Sequence, residues 1–144
     1  MTLRELTKED IQAVVSLEKT CFPDYWAEEE WFSTLSRADF HGWVIMEGER
    51  FVGFVAVTSL FEEAELLKIA IGQDYRGNGY GKRLLQYALE RCKALGAERM
   101  FLEVRASNLA ATGLYLGCGF SQTRLRKKYY ADGEDGVEMV KNIV

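Results

Sequence analysis

Apolar positions along the chain switch between two spacings, and the switches mark the elements. Ile11, Val14, Val15 and Leu17 recur at helical spacing, so a helix is predicted from Ile11 to about Thr20. Thr7-Lys8-Glu9-Asp10 precedes it as a capping box, with Thr7 as N-cap. Pro23, the only proline, breaks the chain, and Ala27–Leu35 is predicted as a second helix with Glu28, Glu29 and Glu30 in its first turn. Strand-like runs occupy Met1–Leu6, Trp43–Met46, Phe51–Leu60, Ala64–Ile71 and Arg99–Val104, the last read as buried; β-branched and aromatic residues dominate most of them. The turn Glu47–Arg50 joins two of these runs into a hairpin, and His41, the lone histidine, falls in the loop before it. Lys82–Leu95 carries Leu84, Leu85, Ala88, Cys92 and Leu95 on one face and ends at Gly96, a favoured residue after a helix. Asn108–Leu116 is a short helix stopped by Gly117-Cys118-Gly119, and Phe120–Lys128 with Val137–Val140 forms a last hairpin. The order is β-α-α-β-β-β-α-β-α-β-β. Only the two later helices need crossover connections, so an α/β fold is expected with a mixed, mostly antiparallel sheet of about seven strands and about four helices.

At 144 residues, with 48% hydrophobic and 28% charged content, the sequence suits one soluble domain spanning residues 1–144. A formal net charge of −4 argues against non-specific nucleic-acid binding as the main activity. No apolar run approaches the length of a membrane span, and Met1–Leu6 lacks signal-peptide architecture, so a cytoplasmic location is expected. Cys21, Cys92 and Cys118 show no metal-ligand spacing and are read as reduced thiols; no metal is expected.

Candidate chemistry centres on Arg76-Gly77-Asn78-Gly79-Tyr80-Gly81, which runs from the strand ending at Ile71 into the helix beginning at Lys82. Three glycines leave backbone N–H groups uncovered where a helix dipole favours negative charge. The pattern is neither a dinucleotide fingerprint nor a Walker loop, since Gly81-Lys82 is followed by Arg83. A phosphorylated ligand other than NAD or ATP is one reading, and a tight turn with no ligand is the other. Arg76 and Lys82 either add charge to that ligand or are solvated cations. Glu103 interrupts the apolar strand Met100–Val104. It is either a desolvated base with a raised pKa or an outward-facing residue paired with Arg105 or another cation.

The Arg-x-x-Gly-x-Gly loop after the fourth strand, with Arg76, Gly79 and Gly81, resembles the GNAT N-acetyltransferase superfamily over essentially the whole chain. Leu102-Glu103-Val104-Arg105-Ala106-Ser107-Asn108, Leu114-Tyr115, Gly119-Phe120, Arg126-Lys127-Lys128-Tyr129-Tyr130, Glu134-Asp135 and Met139 resemble the RimI-like ribosomal-protein-alanine N-acetyltransferases more closely. The sequence departs from that family at Gly113, at Gly136 and through Phe22–Trp31.

The resemblance implies acetyl-CoA as co-substrate, its pyrophosphate on Arg76–Lys82 and its pantetheine arm along Ile69-Ala70-Ile71. It implies Glu103 as general base, Tyr115 as the acid meeting the leaving thiolate, and Asn108 as both N-cap and contact for the cofactor arm. The implied acceptor is a protein N-terminus, the N-terminal alanine of a small-subunit ribosomal protein. A small-molecule amine acceptor and a non-catalytic acyl-CoA-binding module stand as alternatives.

Overall fold

The computed structural model describes residues 1–143. Its elements are β1 (Thr2–Glu5), α1 (Ile11–Cys21), α2 (Glu28–Leu35), β2 (Phe40–Glu47), β3 (Arg50–Leu60), β4 (Glu63–Ile71), α3 (Tyr80–Ala94), β5 (Arg99–Arg105), α4 (Leu109–Gly117), β6 (Ser121–Arg126) and β7 (Gly136–Asn142). Short 3-10 turns lie at Lys8–Asp10 and Gln73–Tyr75. The seven strands form one sheet in the order β1-β2-β3-β4-β5-β7-β6. Every neighbouring pair is antiparallel except β4 and β5, which the α3 crossover makes parallel.

Two apolar layers cover the two faces. α3 buries Leu84, Leu85, Ala88, Leu89 and Cys92 against one face, with Val55, Val57, Leu66, Met100 and Leu102. α1 and α2 bury Ile11, Val14 and Trp31 against the other, with Val44, Phe54 and Ala56. Period-two alternation along β3 serves both layers at once, which is why its run reads as continuously hydrophobic. Trp31 anchors the second layer, edge-on to Phe54 at 5.5 Å and to Phe40 at 6.2 Å between ring centroids.

The start of α1 is tied as the capping pattern predicts. The Thr7 N–H donates to Asp10 Oδ2 at 2.8 Å, and Asp10 takes a two-pronged contact from Arg4 at 2.9 Å for each oxygen. Three expectations need correction. His41 lies inside β2, paired with Val57 and stacked on Trp43, because β2 begins at Phe40, ahead of its apolar core. β5 is buried on one face only: Met100, Leu102 and Val104 are in the core, while Phe101, Glu103 and Arg105 face the other way and are half-buried. Leu95 is exposed, because α3 ends at Ala94 and Leu95 only caps it.

β4 approaches β3 closely at Gly53. A Cβ there would collide with the Ala70 carbonyl oxygen and lie 2.7 Å from Ile71 Cδ1. Gly53→Ala is therefore expected to force β3 and β4 apart and cost ~1–3 kcal/mol, read as a lower urea midpoint with an unchanged m-value. Wild-type stability in that variant would contradict the close approach.

Candidate active site

The parallel ladder between β4 and β5 is short. Glu63, Ala64 and Glu65 of β4 pair with Arg99, Met100 and Phe101 of β5. Beyond them β4 runs on to Ile71 and β5 to Arg105 with no ladder between them. A register shift between Ala56 and Val57 of β3 leaves Leu67 as an extra residue on β4, and bulges of this kind bend a strand and re-aim its side chains.

The strands part around a cavity of about 690 Å³. Lys68, Ile69, Ala70 and Ile71 line one wall, and Glu103, Val104 and Arg105 line the other. The Gly loop with the start of α3, and Asn108 with α4, close one end. Cys21 meets the loop as well, its Sγ accepting from Arg76 Nη2 at 3.3 Å, and Phe22, Asp24, Trp26 and Tyr130 also line the cavity.

At the loop end, Gly77 and Gly79 adopt φ of +80° and +81°, a left-handed backbone that glycine reaches at little cost. The first hydrogen bond closing this end of α3 runs from the Arg83 N–H to the Gly79 carbonyl, at 3.1 Å. The N–H groups of Tyr80, Gly81 and Lys82 therefore have no partner within the helix. The Tyr80 hydroxyl donates to Glu47 Oε1 at 2.8 Å and ties the start of α3 to the end of β2.

Not every predicted loop residue reaches the cavity. Asn78 and Lys82 are absent from its lining, whereas Arg76, Gly77, Gly79, Tyr80 and Gly81 belong to it. Asn78 Nδ2 donates to the carbonyls of Tyr75 (3.1 Å) and Arg76 (3.3 Å), because a tight loop must satisfy its own backbone. Arg76 Nε donates to the Ile71 carbonyl at 3.0 Å, which folds the guanidinium back over the end of β4.

Glu103 does not pair with Arg105. Its Oε1 lies 2.8 Å from Arg126 Nε. Burial raises the Glu103 pKa; Arg126 opposes that rise, and Glu138 and Glu65 add to it. Arg105 instead donates to Asp132 (2.8 Å) and Glu134 (3.0 Å) and lies over the Tyr130 ring at 4.2 Å. That cluster holds the β6–β7 loop against the end of β5. Tyr115 is buried beside Phe120, and burial pushes its phenol well above the usual tyrosine range, so it stays protonated at neutral pH. Asn108 caps α4 as predicted, its Oδ1 accepting from the Ala111 N–H at 3.1 Å.

Lys68 and Glu18 lie outside the site residues expected from the sequence. Glu18 is fully buried, hydrogen-bonded to the Lys68 ammonium and, at 2.6 Å, to Trp31 Nε1. The ammonium also sits 4.4 Å from the Trp26 ring centroid and 5.4 Å from that of Phe22. Glu18 looks like an ordinary polar-face residue of α1, but Lys68 interrupts an apolar strand just as Glu103 does, and that was the available signal. Among the described residues, no group of three or more His, Cys, Asp or Glu side chains is placed to hold a metal, and no helix is long and apolar enough to cross a membrane.

Comparison with known proteins points the same way as this geometry. The family model for the acetyltransferase (GNAT) family matches residues 11–120. A Bacillus subtilis protein, provisionally assigned as a ribosomal protein bS18-alanine N-acetyltransferase, is 33% identical over 139 residues, 95% of this chain and 92% of its own. The Escherichia coli K12 ribosomal protein bS18-alanine N-acetyltransferase is 30% identical over 141 residues, 96% of this chain and 95% of its own. The crystal structure of the Escherichia coli enzyme superposes with a TM-score of 0.89 over 99% of this chain and 93% of that one, at 30% identity. Spermidine N-acetyltransferase from Vibrio cholerae, 21% identical, shares the fold with a TM-score of 0.86 over 99% of this chain and 95% of that one. The chain belongs to the GNAT acetyltransferase family and is an acetyl-CoA-dependent N-acetyltransferase.

Removing one member of the buried pair strands the other charge. Glu18→Ala is expected to cost about 3–5 kcal/mol in chemical denaturation, and the double variant Glu18→Leu/Lys68→Met to recover most of that loss. Equal losses in both variants would contradict the account.

Proposed function

We propose that the chain acetylates a protein N-terminal α-amine, in particular the N-terminal alanine of a small-subunit ribosomal protein of the bS18 type. The observation that carries this reading is the parting of β4 from β5, which sets Glu103 on one wall of a cavity that Tyr115 also lines. The names of the Bacillus and Escherichia relatives support the acceptor. We place the reaction in the cytoplasm and assign residues 1–144 to one acetyltransferase domain.

Each residue then has a task. The free N–H groups at the start of α3, with Gly77 and Gly79, seat the diphosphate of acetyl-CoA. Arg76 adds positive charge at the loop, and Lys82 and Asn78 act from outside the cavity wall, on field and loop shape. The unladdered edge of Ile69-Ala70-Ile71 offers backbone donors and acceptors to the pantetheine arm, and Asn108 meets that arm from the opposite side. Glu103 accepts a proton from the acceptor ammonium, directly or through one water, and the freed amine attacks the thioester carbonyl. The carbon–sulfur bond breaks as the carbon–nitrogen bond forms. Tyr115 gives its phenolic proton to the departing thiolate and is restored by the second proton that the acetylated nitrogen sheds, while Glu103 returns its proton to solvent. The raised pKa of Glu103 suits the first transfer, and the Tyr115 phenol, protonated at neutral pH, has a proton to give in the second.

Steady-state assays with an Ala-initiated peptide against a panel of polyamines and amino acids test the acceptor. Efficient turnover of the peptide is expected, and turnover confined to free amines would refute the reading. Glu103→Gln is expected to lower kcat on the order of 100-fold, and Tyr115→Phe to lower it by about tenfold or more, with coenzyme A binding retained in calorimetry. Wild-type kcat in both would remove the catalytic assignment.

A further inference from the structure

Glu103 and Glu138 stand directly opposite each other across the β5–β7 ladder. Like charges in that relation repel. Arg126 of β6 answers both carboxylates. Its Nε lies 2.8 Å from Glu103 Oε1, and its Nη2 donates to Glu138 Oε2 at 3.2 Å. Glu138 has further partners: Thr123 Oγ1 donates to its Oε1 at 2.7 Å, and Arg124 Nε lies 3.6 Å from its Oε2. Glu103 has none of these. Among the described residues, Arg126 is the cation in ion-pair contact with it, and no protein group hydrogen-bonds its buried Oε2. The Arg126 Nε contact is itself one of charge, since its angle does not make a hydrogen bond.

We propose that Arg126 is a positioning residue for the acetyl transfer, holding Glu103 ionised by charge contact at Oε1 while leaving Oε2 free to take the acceptor's proton. The inference rests on Glu103 serving as the base. A carboxylate tied by several hydrogen bonds is a weak base, and one buried without a cation stays protonated. Arg126 supplies the charge without occupying the second oxygen. The groups facing Glu103 are Arg126 and Arg124 from β6, Glu138 from β7, Glu65 from β4 and Tyr130 from the β6–β7 loop. Both arginines favour the ionised form, and both glutamates oppose it. Loss of Arg126 therefore moves the Glu103 titration to higher pH.

The test is direct titration of the Glu103 carboxyl by carbon-13 NMR in the glutamate-labelled full chain, its signal assigned by its absence in Glu103→Gln. Arg126→Gln is expected to raise the midpoint by about one pH unit, and Arg126→Lys to restore most of it. With an Ala-initiated peptide, kcat/KM for Arg126→Gln is expected to fall about tenfold on the acid side and to approach wild type at high pH. An unmoved midpoint, or an equal loss at every pH, would overturn the positioning role. The two failures are separable. If Glu103→Gln keeps full turnover, the base assignment is lost and this inference with it. If Glu103→Gln is inactive while Arg126→Gln leaves the midpoint in place, only the role of Arg126 falls.

Discussion

A parallel strand pair that stops after three residues leaves two rows of backbone groups without a ladder, and the site depends on that unfinished pairing. β4 and β5 meet from Glu63 to Glu65 and then diverge. The split costs several sheet hydrogen bonds, each worth about 1 kcal/mol net. It stands because neither strand relies on the other: β3 holds β4 from Glu63 to Ile71, and β7 holds β5 from Arg99 to Arg105. The α3 and α4 layers then close the gap from one face, with Leu84, Leu85 and Tyr115 in the shared core.

Ion pairs along the split join different elements. Glu18 of α1 meets Lys68 of β4, Glu103 of β5 meets Arg126 of β6, and Arg105 of β5 meets Asp132 and Glu134 of the β6–β7 loop. Such pairs add little net stability, since desolvation offsets attraction. Their effect is geometric: each one pins a loop, strand or helix to the cavity. Lys68 fixes the α1–α2 side through Trp26 and Phe22, while Arg105 fixes the opposite side through Tyr130.

Small residues serve the same opening. Gly53 lets β3 press against β4 at the far end of the split, opposite Ile71. Gly136 lets the Tyr129 ring sit against β7, where a Cβ would lie 3.0 Å from the ring. That closeness gives a packing reason for glycine at a position where the chain departs from the RimI-like pattern.

Element order, the helix caps at Thr7 and Asn108, the Gly loop and the core face of α3 were legible in the sequence, because each follows from local spacing and backbone chemistry. Glu103 was legible as a carboxylate out of place in its strand. Its partner was not, since Arg126 belongs to a strand that is not its neighbour and reaches it only across β7, which inserts between β5 and β6. The extent of the β4–β5 ladder, the bulge at Leu67 and the Glu18–Lys68 pair were likewise decided by tertiary structure. Strand pairing, register and burial are properties of neighbours distant in sequence, and no local pattern encodes them.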